Sequence, residues 1–212
     1  MVAARRRQSC REASGRLQEY QVGSSVPVDA VSDLILLILH ANSRKHGRSS
    51  LAGTTRLQKL LFLLTQSPVY RGLLEEKAVP EVEFEPYKMG PFTPDLYRAV
   101  DLLANFNPPL VVARPAERAG PDQTELHRYL EDVDLERATA TSARPATYAL
   151  SDVGSRLAAQ LWDASPSALH TAVTSIVNDY AALPLRELLR LVYSQYPEMT
   201  ERSEIKVDLG MP

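Results

Sequence analysis

The chain has 212 residues, 44% hydrophobic and 24% charged, with 24 Lys and Arg against 26 Asp and Glu. That is enough apolar material for one buried core with a small appendage. A single cysteine, Cys10, excludes an internal disulfide framework, and the four histidines show no CxxC or HExxH spacing, so neither a metal nor another cofactor is expected. The longest apolar run, Leu34 to Leu39, falls far short of the roughly 20 residues a bilayer requires, and the first residues lack the apolar centre of a signal peptide, so a cytoplasmic location is expected.

Residues 1–26 are rich in Arg, Ser, Gln and Gly without periodicity and read as a flexible, Arg-rich arm. Pro27 and Asp29 introduce a helix that is apolar on most sides and ends near Asn42. Ser43 to Gly53 reads as a polar, basic loop. Thr54 or Thr55 then caps a second helix carrying Leu57, Leu60, Leu61, Phe62 and Leu64, with Arg56 and Lys59 on the opposite face. Ser67-Pro68 stops that helix, and a helical turn follows through Leu74.

Val82 to Pro86 alternates with Glu81, Glu83 and Glu85, the pattern of a half-buried strand with an acidic outer face. Carboxylates on one strand face splay outward at ~6.6 Å spacing, which does not suit a metal-dependent nuclease. Tyr87 to Pro94 is the sharpest turn signal in the chain. Gly90 can take a positive φ, Pro91 fixes its own, and Thr93 before Pro94 is an N-cap with proline at the first helical position. A helix over 94–106 follows, burying Leu96, Val100 and Leu103 while Asp95, Arg98 and Asp101 face outward.

Leu110 to Ala113 and Thr147 to Leu150 read as two strands of one hairpin, its tip enlarged by an acidic insertion over 114–144 with a short helix at 123–130. Ser151 caps a helix over 152–162, a further helix spans 166–181, and Pro184 begins a last one. Residues 206–212 read as an untethered tail. The expected organisation is the arm at 1–26, a core at 27–163, a helical extension at 164–205 and the tail.

Charge is segregated along the chain. Between Asp33 and Glu75 stand Arg44, Lys45, Arg48, Arg56, Lys59 and Arg71 with no acid among them. Arg44, Lys45, Arg48, Arg56 and Lys59 are therefore the candidate contacts to nucleic-acid phosphates. Trp162, Tyr180, Tyr193 and Tyr196 supply large aromatic area in the late helices and are the candidates for a partner or homodimer face. GxSxG, P-loop and GxGxxG motifs are absent, so no enzyme is expected.

Helix, basic loop, helix, strand, turn, helix and two wing strands is the order of a winged helix, giving a mostly α, α+β expectation with added C-terminal helices. Leu57-Gln58-Lys59-Leu60-Leu61-Phe62-Leu63, the turn Tyr87-Lys88-Met89-Gly90-Pro91-Phe92 with Leu96-Tyr97, and Tyr148-Ala149-Leu150-Ser151-Asp152-Val153-Gly154 carry a closer likeness. With Tyr196-Pro197-Glu198-Met199-Thr200, they resemble prokaryotic SocA-like antitoxins of the Panacea-domain group and YwgA-like proteins. The resemblance covers roughly residues 30–205. It implies a non-enzymatic, winged-helix DNA-binding regulator tied to toxin–antitoxin or phage-defence systems, with double-stranded DNA as partner. The alternative it implies is a module that binds and restrains a toxin-like or defence protein without touching DNA.

Overall fold

The computed structural model describes residues 28–47, 50–115 and 146–211. The Arg-rich arm, Arg48 and the bulk of the acidic insertion, with the helix expected in it, lie outside the described residues.

Helix α1 (Val31–His46) opens on the carboxylate of Asp33, which accepts the backbone N–H groups of Asp29 (3.2 Å) and Ala30 (3.1 Å). It runs four residues beyond the expected end and stops at Gly47, φ +56°. Arg44 and Lys45 therefore ride on a helix rather than in a loop. All six residues from Leu34 to Leu39 are buried, because α1 is covered on several sides by later helices.

The expected loop before Gly53 contains a short strand, β1 (Leu51–Ala52). Gly53, at φ +89°, is the N-cap of α2 (Thr54–Gln66), not Thr54 or Thr55. The Thr54 hydroxyl instead shares a 2.6 Å hydrogen bond with the buried Tyr148 hydroxyl. Helix α3 (Pro68–Glu75) is capped by Ser67, whose hydroxyl accepts from the Tyr70 N–H at 3.2 Å.

Glu81, Glu83 and Glu85 are exposed and Val82 and Phe84 half-buried, as the alternation requires, but pairing begins only at β2 (Glu85–Tyr87). Its partner is β3 (Gly90–Phe92), in the register Glu85↔Phe92, Pro86↔Pro91, Tyr87↔Gly90. The glycine-proline turn is thus itself a strand. Proline is tolerated because each strand of a two-stranded ribbon has a free edge. Thr93 then caps α4 (Pro94–Ala104), accepting from the Asp95 N–H at 3.4 Å.

β4 (Val111–Pro115) and β5 (Ala146–Leu150) pair antiparallel, Val111↔Leu150 to Pro115↔Ala146, and β1 adds to the other edge of β5 to give the order β1-β5-β4. Helices α5 (Asp152–Ala164), α6 (Ser167–Tyr180) and α7 (Leu185–Gln195) follow, then a 3₁₀ turn (Pro197–Thr200) that packs on β2 and β3. The described residues are mostly helical with two small antiparallel sheets, an α+β architecture.

The expected untethered tail is anchored. Leu209 is buried against the core, Arg190 Nε donates to its carbonyl at 2.8 Å, and Arg186 Nη2 donates to the carbonyl of Asp208. The anchors are arginines of α7, which the local composition of 206–212 could not reveal.

Candidate functional site

Helix α2 lies at the centre of the fold, against α1, α3, α6, α7, β1 and β3, so that every residue from Thr54 to Thr65 is buried. The polar face that periodicity assigns to solvent is instead turned to backbone carbonyls of other elements. Lys59, 2% exposed, donates from Nζ to the Pro91 carbonyl at 2.8 Å, and Gln58 Nε2 donates to the Thr93 carbonyl at 3.2 Å. The Leu57–Leu63 motif thereby grips the Gly90–Thr93 turn. Burial away from water brings the Lys59 pKa down to about 7, since one carbonyl hydrogen bond does not make up for the lost hydration of its charge.

Arg56 is 8% exposed and forms a second internal bridge. Its Nη1 donates to the carbonyls of Ala181 (3.0 Å) and Leu183, and its Nε to that of Ala52 at 3.2 Å. One planar guanidinium joins β1 to the loop between α6 and α7. Arg56 and Lys59 therefore do not face a phosphate backbone, and that expectation is corrected. The Ala181 and Pro91 carbonyls that they reach lie 125 and 32 residues away in sequence, so no local pattern could assign them.

The aromatic set is also mostly internal. Tyr193 is 3% exposed, its ring lies against Gly90, and its hydroxyl is 2.8 Å from Ser203 Oγ. Burial raises that phenol to about 12, partly opposed by the Ser203 hydrogen bond. Tyr196 is half-buried, edge-on to Phe62 at 4.9 Å, and Tyr180 is half-buried beside the core. Trp162 is 8% exposed and stacks on His170 at 4.4 Å, with His40 at 5.3 Å and the Arg44 guanidinium 5.7 Å from its ring centre. Trp162 and Tyr193 are thus core and packing residues, which corrects their assignment to a partner face. At the turn, Tyr87 packs on Phe92 with ring centres 4.9 Å apart.

One Ser–His pair invites a catalytic reading. Ser165 Oγ is 3.0 Å from His170 Nε2, yet the same nitrogen is 2.6 Å from the Trp162 carbonyl. A carbonyl accepts only, so Nε2 carries the proton and has no lone pair to take one from Ser165. Ser165 also donates to the Trp162 carbonyl at 3.0 Å, and the pair closes the C-terminus of α5.

Two of the five candidate cations, Arg44 and Lys45, are exposed on the last turn of α1; Lys45 Nζ donates to the Asn178 carbonyl at 2.8 Å. Arg44 also lines a groove of 1250 Å³ between α1, the outer face of β4–β5 and the start of α5. Arg114 and Arg156, which sequence reasoning did not select, lie on its other walls. The strand register, which sets Arg114 opposite Thr147, and the packing of α5 on α1 and β5 bring them to one place.

On α4 Arg98 is exposed and Asp95 half-buried, whereas Asp101, expected to face outward, is half-buried with its Oδ1 enclosed. Arg98 Nη1 is bound to Asp95 Oδ1 at 2.7 Å. No helix among the described residues is long and apolar enough to cross a membrane. The chain matches no protein-family model, no curated protein and no solved structure.

Proposed function

We propose that this chain is a non-enzymatic, antitoxin-like regulator that binds and restrains a partner protein, built on a winged-helix core formed by α1, β1, α2, α4, β4 and β5. The strand order β1-β5-β4, with β1 between the first two core helices and β4–β5 after α4, supports the winged-helix reading. The C-terminal helices pack on α1 and α2 and enlarge that core.

The observation that carries the choice of a protein partner over DNA is the burial of Arg56 and Lys59, whose charged groups are turned to carbonyls inside the fold. A winged helix that reads DNA needs free cations on its recognition helix and the elements beside it. Here two candidate cations donate to backbone carbonyls inside the fold, and Arg98 is paired with Asp95. Glu81, Glu83 and Glu85 are exposed on the segment that runs into β2, and such a row of carboxylates suits a partner with a basic face.

Gel-shift titration of duplex DNA across a salt series tests this reading, together with co-elution of the chain and the product of its neighbouring gene. The reading expects no shift even at about 50 mM salt, where phosphate contacts are strongest, and a stoichiometric protein complex. A duplex complex that weakens steeply as salt rises, with no protein complex, restores the DNA reading.

A further inference from the structure

We propose that the groove between α1, the β4–β5 face and the start of α5 binds a ligand bearing two or more phosphate groups, held by Arg44, Arg114 and Arg156. The three arginines come from three different elements and line one concavity, with the Arg44 guanidinium at its edge over the Trp162 ring. Each is exposed, and among the described residues none has a carboxylate within ion-pair distance. The one acid on the walls is Asp152, which stands four residues before Arg156 without pairing to it. Three guanidiniums against one carboxylate leave a positive excess that a multiply charged anion matches; one phosphate monoester carries about −1.5 to −2.

The chemistry of the walls narrows the ligand. Guanidinium forks bind phosphate oxygens in pairs, and the hydroxyls of Ser50, Thr147 and Ser155 line the same groove as neutral donors. Arg44 is held in place by the Trp162 ring beneath it. The volume of 1250 Å³ exceeds the roughly 300–1,000 Å³ of ordinary small-ligand pockets, so an oligophosphate with an attached organic group fits better than a lone phosphate ion. Tyr148 is the one aromatic in the lining, fully buried with its hydroxyl bound to Thr54. Base stacking, on which single-stranded nucleic-acid sites depend, is therefore not offered.

The test is titration of the full chain with tripolyphosphate at about 150 mM ionic strength, followed by calorimetry and by thermal melting, with sulfate at matched ionic strength as control. Saturable binding is expected, weakened at least about tenfold in the Arg44→Ala/Arg114→Ala/Arg156→Ala variant and measurably in Arg114→Ala alone. All three side chains are exposed, so the triple variant should keep its fold, with the unliganded melting temperature lowered by no more than loss of the Arg44–Trp162 contact. Absence of saturable binding, equal binding by the triple variant, or an equal effect of sulfate overturns the proposal. A duplex of about 20 base pairs that binds through the same arginines while tripolyphosphate does not would also overturn it, and would overturn the partner-protein reading with it; a failure with tripolyphosphate alone leaves that reading standing.

Discussion

Gly90 and Tyr193 are in contact so close that a β-carbon on Gly90 would lie 2.7 Å from Tyr193 Cε1. Gly90 also holds φ at +84°, a conformation that side chains disfavour. The hairpin β2–β3 thus seats on α7 through the bare face of one glycine, and the Pro91 carbonyl one residue later receives Lys59.

Replacing Gly90 by Ala should accordingly cost about 2–4 kcal/mol in urea unfolding, the sum of a clash against buried atoms and a strained φ. In a Tyr193→Ala background the clash is gone, and the cost of the same change should fall to the strain alone, about 1 kcal/mol. Equal costs in both backgrounds would show that the ring contact has no part in it.

Gly154 offers a contrary case. It lies in the first turn of α5, where Ala would ordinarily gain about 1 kcal/mol over Gly. Its β-carbon would stand 1.9 Å from the Leu110 carbonyl oxygen, which also accepts from the Ser151 N–H at 3.0 Å. Ser151 itself donates to the Pro109 carbonyl at 2.6 Å while capping Gly154 at 2.9 Å, so α5 and the entry to β4 cannot move apart. Gly154→Ala should lower the melting temperature despite its better helix propensity, and a rise would refute the packing argument.

Lys59 makes stability rise toward alkaline pH. Its folded value of about 7 lies below the unfolded 10.5, so between those values the unfolded chain binds more protons and stability increases with pH. The stabilisation is lost as pH falls toward 7. Above 10 the trend reverses, because the buried phenols of Tyr70 and Tyr193 are raised above their unfolded value and oppose ionisation. Chemical unfolding at about pH 7 and pH 9 should show a gain on the order of 1–2 kcal/mol in the parent and little in Lys59→Met. An equal gain in both proteins would place its origin elsewhere.

Trp162 is the only tryptophan, and the His40 ring lies 5.3 Å from it. Burial lowers His40 first of all, with a further push from Arg44 that Asp163 partly opposes. A His whose folded value is depressed withdraws stability as pH falls below its unfolded 6.5. Tryptophan emission should be quenched on acidification as imidazolium forms beside the indole, and the midpoint should move upward in Arg44→Ala. An unmoved midpoint would exclude Arg44 as an electrostatic neighbour of His40.

Much of the fold was legible in sequence because its signals are local. The leucine spacing of α2, the alternation over 81–86, the Thr93-Pro94 and Ser151 caps and the positive φ of Gly90 each depend on a few neighbouring residues, and each stands in the structure. Only the tertiary structure decided what covers the polar side of α2. Amphipathic periodicity identifies the apolar face of a helix and assumes water on the other, whereas α2 is enclosed, and Arg56 and Lys59 meet carbonyls from distant segments. The same reason hid Arg114 and Arg156, one on a strand and one on a helix. Strand register and helix packing bring them to Arg44, because charge convergence across elements depends on three-dimensional separation and leaves no spacing in the chain.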